Sequence, residues 1–413
     1  ETELGRKRRI NQSSCNKDFS CVQGFCPSFV TVQGGRLRRD KGRNDARIDA
    51  LPPLPMPALP NVDAGFNIVL AGIGGTGIVT VGAILAQAAH VDGLQASVLD
   101  LTGMAQKYGA VMSHLRFMPG GRKMPSSRLA AGEADLVVGC DLIVAAGEEA
   151  LSKMAPGRTL AVVSSSVIPT GDFTRTPDWD PNAPELLRRI EARTGGRARM
   201  VDAERLATAL MGDSIATNMF LLGVAWQLGR VPVSLAALDE AIAASGVDVS
   251  FNRESFAWGR RMAVDPASVE TAAAGTAART DVVQFAPGRM HRLEDIVADR
   301  TRRLVAYQDD AYAQRYWERV ERARAKDDAL DAGGALARAV ARSYYKLLAH
   351  KDEFEVARLY SSPEFRRQLE SQFEGDFSVR FQIGTWPFGR LDASGRPVKR
   401  EIGSWALSAM RVL

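Results

Sequence analysis

The chain lacks most of the features that would place it outside the ordinary globular classes. None of its 413 residues lies in an apolar run of the roughly twenty positions that a membrane-spanning helix needs, because Asp135, Asp141 and Glu148 interrupt the most apolar region. No membrane partner is expected. Cysteine is scarce, and four of them without a secretory-signal pattern do not make a disulfide framework, so a cytoplasmic location is expected. Strong net charge is also missing: the formal value is +5. The basic excess gathers in Arg6-Lys7-Arg8-Arg9 and in Arg36, Arg38, Arg39, Lys41, Arg43 and Arg47. No nucleic-acid-binding module accompanies it, so nucleic acid is not expected as a partner, and the arm reads as meeting an acidic protein or as a solvated or subunit-facing tail. The chain starts at Glu1 rather than Met and stops in an apolar run at Leu413, which reads as a piece of a longer protein or a processed product.

What is present is length enough for two or three domains and the composition of a water-exposed fold, 46% hydrophobic and 24% charged. The organising stretch is residues 66–118. An apolar run, Phe66 to Ala71, leads into Gly72-Ile-Gly74-Gly75-Thr76-Gly77, and Ile78 to Ala89 follows with apolar residues at helical spacing. Strand, tight turn and helix in this order make a phosphate site, because glycines let the backbone approach a ligand and free N–H groups at the helix start face an anion. A second strand, Ala96 to Leu99, ends in Asp100, where a dinucleotide-binding fold keeps its ribose acid. From these residues alone the ligand is NAD or FAD; the bland alternative is a βα turn whose glycines only pack.

Three cysteines fall within twelve residues, Cys15, Cys21 and Cys26, with Pro27 closing the run. The spacing is not the CxxC of a zinc hairpin, and two longer arms suit an iron-sulfur cluster better, with zinc or unliganded thiols as alternatives. A fourth ligand is open between a group upstream, Cys140 and Asp18; Cys140, between two apolar runs, reads rather as a small buried hydrophobe in a sheet.

Several of these residues carry a resemblance. Asn11-Gln12-Ser13-Ser14-Cys15, the cysteine run, Phe29-Val30-Thr31-Val32, the glycine loop, Thr102-Gly103-Met104-Ala105-Gln106-Lys107 and Gly212-Asp213-Ser214-Ile215-Ala216-Thr217-Asn218 resemble the indolepyruvate ferredoxin oxidoreductases, over roughly residues 4–265. These are thiamine-dependent 2-oxoacid:ferredoxin oxidoreductases, and residues 290–413 resemble the trailing domain of the long fused bacterial members. The resemblance implies oxidative decarboxylation of a 2-oxoacid on thiamine diphosphate, with electrons passing through a 4Fe-4S cluster to ferredoxin and the acyl group going to coenzyme A. It also moves the glycine loop from NAD to the diphosphate of CoA. Gly72, Gly74, Gly75, Thr76, Gly77, Thr102, Lys107 and His114 are then the cofactor-binding candidates, Arg116 a further charge on the same strand face, and Cys15, Cys21 and Cys26 the metal ligands. No GDG-type thiamine and Mg motif is present, so those cofactors would be held mainly by segments outside this chain or by a partner subunit. A homo-oligomer is the expected state. Two departures from the family pattern stand out, Ser165 in place of an asparagine and Ser245-Gly246 in place of Asn-Gly.

The expected fold is α/β: an iron-sulfur segment (1–50), a proline-rich linker (51–62), a Rossmann-like doubly wound domain (63–265) and a mostly helical domain (285–413). Leu51 to Pro60 carries five prolines and reads as a polyproline-like spacer, either hinging a mobile domain or laid along a surface. Leu142–Ala146 and Leu160–Ser164 read as strands, and Pro184–Arg193, Asp202–Leu210, Met219–Leu228 and Ala335–Tyr360 as helices. The stripe Tyr307, Tyr312, Tyr316, Trp317 reads as core. Two other classes remain: a Rossmann-type NAD or FAD protein with a structural metal site, and a noncatalytic assembly subunit whose glycine loop is vestigial.

Overall fold

The computed structural model describes residues 4, 10, 19–23, 28–37, 48, 51–102, 109–167, 180–277, 290–330, 333–383, 390–391, 393, 397–403 and 405. They form two compact units, one within residues 39–281 and one combining parts of 17–38 with parts of 282–413. Among the described residues no helix is long and apolar enough to cross a membrane.

The first strands, Val30–Gln33 (β1) and Arg36–Leu37 (β2), belong to the second of these units. The first unit is built on a six-stranded sheet. Phe66–Ile73 (β3) runs through the glycine loop into Ile78–Val91 (α1); Leu94–Thr102 (β4) and Ala110–Pro119 (β5) follow. Leu136–Gly139 (β6), the short helices Leu142–Ala145 (α2) and Glu148–Lys153 (α3), and Leu160–Ser164 (β7) continue the chain. Ala183–Thr194 (α4), Ala198–Val201 (β8) and Ala203–Met211 (α5) complete the sheet and its flank. The strand order is β4-β5-β3-β6-β7-β8, with β3, β6, β7 and β8 parallel and β5 antiparallel to both neighbours.

All eight positions of β3 are buried, as expected of a central strand covered on both faces. Ile68 and Leu70 join the core under α1 and the later helices; Val69 and Ala71 join the opposite core with Leu142, Leu151 and Ile190. The run read as a strand at 142–146 is instead α2: Asp141 ends the extended chain, and its carboxylate accepts the Val144 N–H at 2.9 Å as an N-cap.

One face carries a second helical layer: Thr217–Gln227 (α6), Leu235–Ser245 (α7), Val249–Val264 (α8) and Pro266–Ala277 (α9). Every residue of α6 is buried. It meets α8 backbone to backbone: a Cβ added at Gly223 would stand 2.1 Å from the Phe256 carbonyl oxygen, and one at Gly259 1.9 Å from that of Phe220. The proline-rich stretch is fastened to this layer. Gln227 Nε2 donates to the Pro55 carbonyl at 2.6 Å, and the Arg261 guanidinium donates to that of Pro52. Arg260 lies over the Trp226 ring at 4.8 Å and donates to Gln227 Oε1. The stretch is thus laid along this layer at Pro52 and Pro55.

The second unit holds Leu293–Tyr307 (α10), Asp310–Ala329 (α11) and Ala335–Leu348 (α12) around Ile296, Leu304, Tyr316, Val320 and Ala341. Tyr316 is core and its hydroxyl donates to the Ala341 carbonyl, whereas Trp317 is 43% exposed, so the aromatic stripe is core only in part. The helix expected over 335–360 is two, because Asp352 caps a new one, Glu353–Tyr360 (α13), through the Glu355 N–H. Pro363–Gln372 (α14), Phe373–Glu374 (β9) and Ser378–Ile383 (β10) follow. β1 pairs antiparallel with β10 and β2 with β9, so strands from the segment read as 1–50 complete sheets of the C-terminal region.

Candidate functional site

The glycine loop lies at the carboxyl ends of the parallel strands, beside the point where the chain, having run from β3 towards β4, returns to β6 on the other side. Ligands of open α/β sheets bind at such a switch point. Gly72 closes the packing, since a Cβ there would stand 2.6 Å from Ile78 Cδ1 and 3.2 Å from Cys140 Cβ. Gly74 donates its N–H to the Gly109 carbonyl at 2.8 Å, and Thr76 Oγ1 donates to the Ile73 carbonyl at 2.7 Å. Gly75 and Gly77 have φ of +87° and +91°, a region open to glycine at little cost, and a Cβ at Gly75 would meet no atom within 4 Å. Gly77 is the N-cap of α1 and supplies no side chain, so among the described residues no capping side chain satisfies the first N–H groups of this 14-residue helix. The result is an open cluster of backbone donors at the positive end of a helix dipole, suited to a diphosphate.

A residue outside the expected set braces this loop. Asn218, at the start of α6, is buried and donates from Nδ2 to the Thr76 carbonyl at 2.6 Å. The turn before it is capped by Asp213, which accepts the Ile215 N–H at 3.0 Å. In the sequence Asn218 stands only as the last residue of the run 212–218, with nothing to tie it to the glycine loop.

The other candidates separate. Strand register aligns Gly72 with Val111 and Val111 with Thr102, so Thr102 is exposed on the same rim, two strands or about 10 Å from Gly72. Lys107 lies outside the described residues, as does the rest of 103–108. His114 is not on the rim: it pairs with Val69, four residues back from Ile73, and has no exposed surface. Its Nδ1 accepts the Leu129 N–H at 3.1 Å, and burial, with Lys153 adding to it, lowers its pKa to about 4, so it is neutral. Arg116 shares that face, as alternation requires, but is ion-paired to Glu133 at 2.5 Å and bonded to the Arg128 carbonyl. Both side chains serve the interior.

Asp100 also departs from expectation. Because antiparallel β5 is inserted between β3 and β4, Asp100 stands two strands from the glycine loop and accepts a hydrogen bond from Ser113. The ribose acid of a dinucleotide fold belongs on the adjacent strand, so the NAD or FAD reading loses its second support. Ser165 closes the end of β7 by donating its N–H to Val201.

Of the cluster cysteines, Cys21 is described: it sits half-buried on a short 3-10 turn, Ser20–Gln23. Cys15 and Cys26 lie outside the described residues, and among the described residues no trio of His, Cys, Asp or Glu is gathered for a metal. A half-buried thiol on a short surface turn fits a cluster ligand by its donor chemistry. Cys140 does not: it follows β6 with its N–H bonded to Ala71, and burial, helped by Asp141, pushes its thiol up to about 12.

Comparison with known proteins agrees with the α/β unit. The family profile described as pyruvate ferredoxin/flavodoxin oxidoreductase matches residues 67–261, and a family of unknown function (DUF6537) matches residues 293–413. The chain is 31% identical over 173 residues to the indolepyruvate oxidoreductase subunit IorB of Methanothermobacter thermautotrophicus, spanning 42% of this chain and 84% of that protein. With the subunit of the same name from Thermococcus kodakarensis it is 28% identical over 177 residues, 43% of this chain and 84% of that one. Among solved structures, the gamma subunit of a keto/oxoacid ferredoxin oxidoreductase from Geobacter sulfurreducens matches 48% of this chain and 98% of its own, at 21% identity and a TM-score of 0.34. The chain therefore belongs to the pyruvate ferredoxin/flavodoxin oxidoreductase family and is a 2-oxoacid:ferredoxin oxidoreductase of the indolepyruvate type.

Proposed function

We propose that this chain supplies the coenzyme A site and an iron-sulfur relay to a thiamine diphosphate-dependent enzyme that oxidatively decarboxylates an arylpyruvate, indolepyruvate being the model substrate, to its acyl-CoA. The observation that carries the reading is the uncapped N-terminus of α1 behind Gly74, Gly75 and Gly77 at the open rim of the sheet. In this reading the loop's N–H groups take the diphosphate of CoA, with Thr102 on the rim and Lys107, outside the described residues, as further contacts. Cys15, Cys21 and Cys26 hold a 4Fe-4S cluster, which supplies one-electron transfer to ferredoxin. Thiamine diphosphate and Mg are bound by a partner subunit or a segment outside this chain, in the cytoplasm. The curated relatives support a partner, since each of those compared is named as a subunit.

The test is titration of the protein with CoA, wild type against Gly74→Leu, on protein prepared without oxygen and assayed for iron and acid-labile sulfide. A side chain at Gly74 would crowd the space beside the Gly109 carbonyl and Val111, and the expected result is at least a ~10-fold weaker CoA affinity in a folded variant. Unchanged affinity removes the glycine loop from the site; zinc without iron turns the cysteine run into a structural knot.

A further inference from the structure

The glycine loop is held at two points that differ in kind. Gly74 is tied by backbone to Gly109, its neighbour across the sheet edge. Thr76 is tied by a side chain from 142 positions away, the Asn218 amide. That second tie acts on the one peptide unit whose orientation matters most to an anion. A trans peptide is planar, with its C=O and N–H on opposite sides. Holding the Thr76 carbonyl towards Asn218 therefore fixes the Gly77 N–H on the side away from it.

Among the described residues no other hydrogen bond reaches that peptide. Turning the Thr76–Gly77 peptide over needs rotation about Thr76 ψ and Gly77 φ, and Gly77, at φ +91°, passes between left- and right-handed regions at little cost. In the turned state a carbonyl oxygen would replace an N–H beside the first turn of α1 and would repel a phosphate. The Thr76 hydroxyl, engaged with the Ile73 carbonyl, does not prevent this. Asn218 does, and it is well placed: it is 5% exposed, rides on the fully buried α6, and its Nδ2 stands 3.8 Å from where a Gly77 Cβ would be.

We infer that Asn218 is the positioning residue of the glycine loop, locking the Thr76–Gly77 peptide with its N–H turned to the ligand's phosphate. This rests on the CoA reading above. Asn218→Asp keeps the shape, removes the donor and sets a carboxylate against the Thr76 carbonyl. Labelling with carbonyl-13C threonine and 15N glycine isolates the Thr-Gly pairs of the sequence, whose amides are Gly77, Gly103, Gly171 and Gly195. In Asn218→Asp the Gly77 signal is expected to move while the other three stay, and CoA affinity to fall ~10-fold or more. Asn218→Ala is read in the same way if the aspartate variant does not fold. A Gly77 signal that stays in place overturns the lock, as would a loss of melting temperature with CoA affinity intact, which is what a merely structural hydrogen bond gives. If the wild type binds no CoA, the CoA reading falls and the Gly77 signal still decides whether Asn218 holds the peptide.

Discussion

The rim of the sheet and the interior just below it use the same residue types for opposite ends. At the rim, Gly75 leaves space empty and Gly77 opens the helix without a capping side chain; under the sheet, Gly223 and Gly259 let two helices touch so closely that no methyl group fits. His114 and Arg116 show the same inversion. Near the rim they would be phosphate contacts, yet a few residues down β5 they are enclosed, one neutral and one ion-paired. A motif residue is therefore defined by how far along its strand it lies as much as by its type.

Changes in the interior should cost stability, and changes at the rim should cost binding. The largest effect is expected for Gly259→Ala. Its Cβ would fall 1.9 Å from a carbonyl oxygen, so α6 and α8 must separate, and urea unfolding should show a loss of more than about 3 kcal/mol. A loss under about 1 kcal/mol would mean the crossing is looser than the geometry states. His114 comes next. Its folded pKa, about 4, lies below the unfolded 6.5, so its contribution to stability is complete above pH 6.5 and is lost as pH falls towards 4. The span amounts to up to about 3 kcal/mol. His114→Gln should flatten that part of the stability profile relative to wild type; parallel profiles would assign the acid loss to carboxylates elsewhere. The smallest effect belongs to Gly75→Ala, where no atom lies within 4 Å but φ is +87°. Strain of about 1 kcal/mol is expected with the fold intact, and a cooperative loss of the whole domain would erase the distinction between rim and interior.

Local signals carried the sequence reading where local physics decides the structure. An eight-residue apolar strand, a glycine turn and an amphipathic helix specify one another over 26 residues, and β3, the loop and α1 follow the sequence to within two positions. Asp141 misled for the converse reason. Five apolar residues have no period of their own, and a capping acid decided for helix. Distance along the chain hid the rest. The insertion of β5 beside β3 is a matter of pairing over 40 residues, and it displaced both Asp100 and His114 from where an all-parallel order would put them. No spacing rule could have linked Asn218 to Thr76 or Gly223 to Gly259, because each pair meets only after the helical layer has docked.

The proline strap has a consequence for how the chain keeps company. An extended segment lying exposed on a protein is normally an edge on which a foreign strand can add, because its N–H and C=O groups are unpaired. Here five of the ten residues from Leu51 to Pro60 have no N–H to offer, and the Pro52 and Pro55 carbonyls are already taken by Arg261 and Gln227. The strap is extended chain that cannot template β-aggregation. It leaves a length of surface to which strands do not stick.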